Sequence, residues 1–272
     1  MTWEKRGVIF RPDGSMNWSK THAQAPTPVK IDDKTIRVYF STRNGDGLTQ
    51  TGYIDVDIDS PKKIKNIGKK PFLRLGQPGT HNDCGTMIGS ILVEKDLISF
   101  YYTGWHVPVT VAYDCNIGLL KSDSFDKVKH VTKGPLISKN IYEPYWAAAP
   151  FVVKENGIYK MWYVSTYDWI KFKGKYEPVY NIKYATSKDG INWEQSHNSV
   201  IKEAFYGEAL GRPWVIKEDD IYKMWFSKRG TKDYRLSVGE HYNIGYAESK
   251  NGVDWLRCDQ LCGIETSEEG WD

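Results

Sequence analysis

The stretch GIYKMWYVST (157–166), followed by IKYATSKDGINWE (182–194), decides how this chain folds. Its first part alternates as a strand does: Ile158, Lys160, Trp162 and Val164 fall on one face and Tyr159, Met161 and Tyr163 on the other. Both faces carry large apolar groups, as in a strand packed between two layers. The second part reads as a strand (182–186), a Ser-Lys-Asp-Gly turn and a third strand bearing Trp193. Asp189-Gly190 is a hairpin signal, because glycine tolerates positive φ.

The pattern recurs. IYKMWFSKRG (221–230) and IGYAESKNGVDWLR (244–257) repeat it, with Asn251-Gly252 in the turn and Trp255 answering Trp193. Weaker copies are LISFYYT (97–103) leading to IGLLKSDSFDKVK (117–129), and IRVYFST (36–42) leading to residues 52–58. Tyr39, Tyr101, Trp162 and Trp225 hold the same place in their copies, at gaps of 62, 61 and 63 residues. A near-constant period of this length marks a repeat architecture.

Each copy reads as four strands: a small-residue strand, an aromatic strand, its hairpin partner and an outer strand. The fold expected is an all-β propeller of four-stranded antiparallel blades in one domain over residues 1–272, with repeats at about 21–80, 81–140, 141–203 and 204–265. Residues 1–20 do not begin a repeat; Trp3 to Phe10 reads as an outer strand closing the last blade. The tail TSEEGWD (266–272) resembles the approach to a further repeat, which leaves two expectations open: the chain stops where a fifth blade starts, or four blades close alone.

Composition narrows the function. The 37 basic and 34 acidic residues nearly cancel, which argues against nucleic acid or a membrane surface as partner. No apolar run approaches 18 residues, and MTWEKRGVIF lacks a signal-peptide core. Cys84, Cys115, Cys258 and Cys262 form no zinc pattern and read as reduced thiols, so a cytoplasmic location is expected. The sequence leaves the oligomeric state open.

The repeat itself points to a site. His22, Asp83, Glu143 and Glu208 stand 17, 18, 19 and 17 residues before Tyr39, Tyr101, Trp162 and Trp225. Equivalent positions in a propeller project to one end of its channel, where ligands bind. Gln24, His81, Asn82, Trp146, Arg212 and Trp214 are their neighbours. Glycoside cleavage needs one acid to protonate the leaving oxygen and one carboxylate as base or nucleophile. Glu208 is read as the candidate acid, with Asp83 and Glu143 the other carboxyls of the set. Arg212, His22, His81, Gln24 and Asn82 are read as substrate-binding, and Trp146 or Trp214 as stacking on a sugar ring. A separation of ~6.5–9.5 Å between Asp83 and Glu208 implies inversion, and ~5–5.5 Å retention. No cofactor or metal is required, although the histidines and carboxylates leave room for a cation in the channel.

The hairpin "Y-A-x-S-x-[DN]-G-x-x-W" at 184–193 and 246–255 resembles the blades of the five-bladed propeller glycosidases. That superfamily includes arabinanases, β-xylosidases, invertases and levansucrases, and the nearest resemblance is to a bacterial subgroup tied to polysaccharide loci. The resemblance implies an Asp base or nucleophile in the first blade, a tuning Asp in a middle blade and a Glu acid in the fourth. Glu208 stands in the acid's place, Glu143 in the middle one as Glu rather than Asp, and His22 where the first Asp belongs; the resemblance thus implies Glu143 as the group that orients and tunes, and Asp83, from the second blade, as the substitute base or nucleophile. A glycosidase-like enzyme acting on a carbohydrate is therefore expected. The alternatives are a non-catalytic carbohydrate-binding propeller or glycan-assembly accessory, and a protein-interaction propeller with a flat apolar face.

Overall fold

The computed structural model describes residues 3–236 and 240–267. Among the described residues, sixteen strands form three hydrogen-bonded sheets, none of which closes on itself. The first blade is β1 (Thr21–Asp32), β2 (Thr35–Arg43), β3 (Thr49–Asp57) and β4 (Ile64–Ile67). The second is β5 (Gly85–Glu94), β6 (Leu97–His106), β7 (Asp114–Ser122) and β8 (Lys129–His130). A single parallel contact, Thr49 with Gly85, joins these two into one eight-stranded sheet. The third blade is β9 (Ala147–Glu155), β10 (Ile158–Phe172), β11 (Lys175–Ser187) and β12 (Glu194–Ser199). The fourth is β13 (Ala209–Glu218), β14 (Ile221–Arg229), β15 (Asn243–Ser249) and β16 (Leu256–Arg257). Sequential antiparallel pairing within each blade is the meander that the repeat implies, and the fold is all-β and of the propeller type. No helix of the described residues is long and apolar enough to cross a membrane.

The chain divides into two compact units. One comprises Arg6–Ser138 and Ala148–Lys154; the other comprises Met1–Lys5, Lys139–Ala147 and Glu155–Asp272. In the first, Tyr39, Phe100, Tyr102, Ile88 and Leu120 form the core, with Phe72 and Tyr53 packed on it. In the second, Trp162 is fully buried, lies against Tyr184, Tyr222 and Trp255, and donates Nε1–H to the Gly252 carbonyl at 2.8 Å. The recurring aromatic is thus buried core at Tyr39, Tyr101 and Trp162, and half-buried at Trp225.

The Ser-Lys-Asp-Gly and Ser-Lys-Asn-Gly turns are longer than two-residue hairpins, and Trp193 and Trp255 stand just outside strands. Side-chain capping is the reason. Ser187 Oγ accepts from the Asp189 and Gly190 amides, and Asp189 Oδ1 accepts from Ile191 and Asn192. Ser249 and Asn251 repeat this with Gly252, Val253 and Asp254. Such side-chain turns compete with immediate strand pairing.

Two further differences stand out. Residues 3–10 form no strand; Trp3 instead docks edge-on against Trp225 and donates Nε1–H to Cys262 O at 3.0 Å. An indole anchor and its backbone bond to Gly263 hold this segment without a ladder. The third-blade hairpin also runs past the repeat, to a Lys173-Gly174 turn in which both residues have positive φ. Of the tail read as the approach to a fifth blade, residues 268–272 lie outside those described.

Candidate functional site

Inner strands carry a recurrent bulge. The register breaks between Gln24 and Thr27 in β1, between Ile88 and Ser90 in β5, and between Gly211 and Trp214 in β13. Ala25 and Arg212, inside the β1 and β13 breaks, have φ of +53° and +47°, and Ala149 of β9 has +47°; small residues suit such backbone. Arg212 is the exception: a long side chain held in left-handed backbone. Bulges of this kind re-aim side chains beside active sites. Arg212 is half-buried, and desolvation lowers its pKa to about 10.

In the second compact unit, Glu143 is 2% exposed. Its Oε1 accepts from Tyr163 Oη at 2.9 Å and Gln195 Nε2 at 3.0 Å, and lies 2.8 Å from His197 Nδ1. Its Oε2 accepts from Ser165 Oγ at 2.6 Å, with Lys183 Nζ at 3.5 Å. Burial pushes the carboxyl up, but the bonds from Ser165 and His197, the charge of Lys183 and the Tyr163 hydroxyl outweigh it and hold the pKa below the usual glutamate value. These partners come from β10, β11 and β12, so Glu143 braces one face of its own blade.

Glu208, also buried, is gripped by Arg257 through two bonds of 2.7 and 2.8 Å, and takes a third from the Ala204 amide at 2.6 Å. Arg257 bonds Asp259 as well, and hydrogen bonds to Glu208, outweighing burial, push its pKa further up. The two glutamates thus point into separate ion pairs. Sequence reasoning missed Arg257, yet the repeat contains it. Gln195 and Arg257 each stand two residues after the repeat tryptophan, pair with Ala185 and Ala247, and reach the acid of their own blade. Trp146 is buried against Tyr180, with ring centroids 5.5 Å apart, so it packs a face rather than presenting one. Trp214 is half-buried opposite Trp225.

In the first compact unit, a tight loop positions Asp83. Gly76 N–H donates to Asn82 O, Asp83 N–H to Thr80 O, and Thr80 Oγ to Asn82 Oδ1. A β-carbon on Gly76 would fall 2.3 Å from Asn82 Oδ1, so this close approach needs glycine. Asp83 Oδ2 accepts from the Gly79 amide at 2.8 Å, while Oδ1 is buried and has no hydrogen-bond partner. The adjacent Cys84 thiol is pushed up by burial and then by this carboxyl, without reaching hydrogen-bond geometry on Oδ1. All four cysteines are free. His81 lies 3.1 Å from Tyr102 Oη, and burial, followed by the charges of His130 and His106, lowers its pKa.

His22 lies inside β1 rather than ahead of it, with φ of +64° and Nδ1 2.8 Å from Thr21 Oγ1. Partial burial and the charge of Arg43 lower its pKa. Gln24 Nε2 donates to Met87 Sδ at 3.9 Å. Among the described residues, no group of three or more His, Cys, Asp or Glu side chains is placed to hold a metal ion.

No protein-family model matches the chain. It is 35% identical to the uncharacterized protein Rv1502 of Mycobacterium tuberculosis over 273 residues, covering all of this chain and 88% of that one. A 1,2-beta-oligomannan phosphorylase of Thermoanaerobacter sp. is 30% identical over 137 residues, covering 48% of this chain and 44% of its own. Among solved structures, a complex of BT0996 with RGII matches with a TM-score of 0.73 at 16% identity, covering 97% of this chain and 79% of that one. The Bombyx mori GH32 beta-fructofuranosidase BmSUC1 matches with a TM-score of 0.61 at 14% identity, covering 92% and 50%. The chain belongs to the family of Rv1502, and its all-β propeller-type fold is the one seen in the BT0996 and BmSUC1 structures.

Proposed function

We propose that this protein is an enzyme that cleaves or transfers a glycosidic bond, with Asp83 as the carboxyl that meets the reacting oxygen. One observation carries the assignment. Glu143 and Glu208 have both oxygens engaged, whereas Asp83 keeps a buried oxygen without a partner. Such a carboxyl is available to give or take a proton at a bound ligand. Glu143 and Glu208 then act as positioning residues, fixing the segments that lead into β9 and β13. His81 and His22, in the same compact unit as Asp83, supply donors to the substrate.

A single available carboxyl suits transfer to phosphate. In phosphorolysis the acid protonates the leaving oxygen, a phosphate oxygen attacks the anomeric carbon, the glycosidic C–O bond breaks and a sugar phosphate forms. No second protein carboxylate is needed as base. The likeness of about half of the chain to an oligomannan phosphorylase favours this acceptor over water. The binding-module reading is favoured instead by the two filled ion pairs.

The test is turnover of aryl glycosides and neutral oligosaccharides, β-1,2-mannosides included, with and without inorganic phosphate. Under the enzyme reading, Asp83→Asn lowers kcat about 10²–10⁴-fold and leaves ligand affinity intact. Loss of turnover in Glu208→Gln but not in Asp83→Asn returns the acid's role to Glu208. Saturable binding with no turnover under either condition leaves the binding module.

A further inference from the structure

We propose that Tyr206, Asp168, Glu203 and Asn181 form a sugar-binding subsite that takes an uncharged sugar unit through its hydroxyl donors and one ring face. The inference rests on the glycan reading above, and all four residues belong to the second compact unit.

The subsite is built by the part of β10 that exceeds the repeat. A register shift between Thr166 and Asp168 bulges Tyr167 out of the ladder and re-aims the residues after it. Asp168 Oδ1 then accepts from the Trp169 amide at 2.7 Å, and Oδ2 accepts from Tyr206 Oη at 2.6 Å. That bond crosses from β10 to the loop ahead of β13 and fixes the Tyr206 ring by its tip. Tyr206 is 74% exposed, beside a half-exposed Phe205. A held ring with free faces is a platform, because little rotamer freedom remains to be lost on binding.

A second observation points independently to a ligand. Asn181 is 8% exposed, and its Nδ2 donates to Glu203 Oε1 at 3.4 Å, which puts its amide at the cluster. Its Oδ1 is buried and has no partner. Buried acceptors are seldom left in that state unless something donates to them. Asn181 pairs with Ser165 across β10 and β11, three residues before Asp168, and Glu203 stands three residues before Tyr206, so chain and register bring the two pairs together; burial, and then the nearby Glu203 and Asp168 carboxylates, push the Tyr167 hydroxyl up to about 12.

The chemistry of the ligand is set by the atoms on offer. Asp168, Glu203 and Asn181 Oδ1 are acceptors, and the guanidinium nearby, Arg257, is committed to Glu208 and Asp259. Sugar hydroxyls are donors, and the C–H face of a pyranose lies flat on an aromatic ring. A uronic acid or sugar phosphate at this place would meet like charge in a partly dry setting. The subsite therefore selects neutral sugars.

The experiment titrates the full chain with neutral gluco-, manno-, galacto- and xylo-oligosaccharides, their monosaccharides and oligogalacturonate, followed by calorimetry. Turnover of the same panel is measured in parallel, with and without phosphate. At least one neutral oligosaccharide is expected to bind, with oligogalacturonate at least about tenfold weaker. Tyr206→Ala is expected to weaken the neutral ligand by about tenfold, Tyr206→Phe by less, and Glu203→Gln by roughly 10–100-fold through a lost hydrogen bond to a charged acceptor. Tyr206 is exposed, so its variants keep the fold. Oligogalacturonate binding as tightly as the neutral ligand, binding within twofold of the parent in both Tyr206→Ala and Glu203→Gln, or no binding by any panel member overturns the subsite. Turnover with an unchanged KM in Tyr206→Ala removes the subsite and keeps the enzyme reading. Tyr206-dependent binding without turnover keeps the subsite and removes the enzyme reading.

Discussion

Arg257 shows how much a single residue adds to the reading of a carboxylate. Removing one partner of a buried, doubly bonded pair leaves the other charge stranded, at a cost of about 3–5 kcal/mol. Arg257→Ala should therefore lower the urea midpoint sharply, while the double variant Glu208→Gln/Arg257→Met loses much less; equal losses in the two would show that the pair carries no coupling. Glu143 makes a pH-dependent case. Its folded pKa is depressed below the ordinary 4.5, so its stabilisation is full above that value and fades as pH falls through the folded pKa. Ser165→Ala removes the 2.6 Å bond and should cost about 1.5–3 kcal/mol at neutral pH. That deficit should shrink in denaturation curves taken at successively lower pH below about 4.5. A deficit that stays constant with pH would mean that the hydroxyl acts through packing alone. Neither network was legible as a list of site candidates, because the partners lie 20 to 54 residues away and meet Glu143 only across a folded sheet. Arg257 was nearer to hand, since its offset from Trp255 repeats that of Gln195 from Trp193.

At the scale of the element, the strand alternation and the glycine of each capped turn were readable, because both are local rules of backbone geometry. Gly252 carries two of them. Its φ is +78°, and a β-carbon there would stand 3.1 Å from Trp162 Cζ2. Gly157 has a φ of +79° with open space around it. Both alanine variants incur left-handed strain, of order 1–2 kcal/mol, but only Gly252→Ala also presses on the largest core side chain. Gly252→Ala should thus be the less stable of the two, with a visible change in tryptophan fluorescence; equal midpoints would show that the Trp162 contact relaxes freely. The extension of β10 and β11 was not readable. Alternation is interrupted by the bulge at Tyr167, and no second copy of the extension exists among the described residues to reveal it by comparison: β14 spans Ile221–Arg229, against Ile158–Phe172 for β10. The proposed sugar subsite sits on that unrepeated part.

For the whole molecule, the fold class was legible from periodicity alone, since four copies of one pattern constrain each other more than any one of them constrains itself. The division into compact units was not, because it runs through a strand. Only residues 148–154 in the middle of β9 belong with Arg6–Ser138. There, Ser90 Oγ accepts from the Val152 amide at 3.0 Å, Thr103 Oγ1 accepts from the Ala149 amide at 2.8 Å, and Gly89 leaves room for Pro150. Phe151 and Val152 of this segment are buried. A fragment cut at Ser138, where the second repeat ends, would leave the Ser90 and Thr103 hydroxyls without these partners and lack the buried side chains of Phe151 and Val152. Burying two such side chains is worth roughly 3–6 kcal/mol, a large share of the stability of a domain. Residues 6–154 expressed as a fragment should accordingly show a cooperative thermal transition by circular dichroism, and residues 6–138 a much weaker one or none. If 6–138 melts as cooperatively and at the same temperature as 6–154, the middle of β9 is dispensable to that unit. A midpoint difference of several degrees instead locates a stability boundary inside a single strand, within the third sequence repeat rather than between repeats.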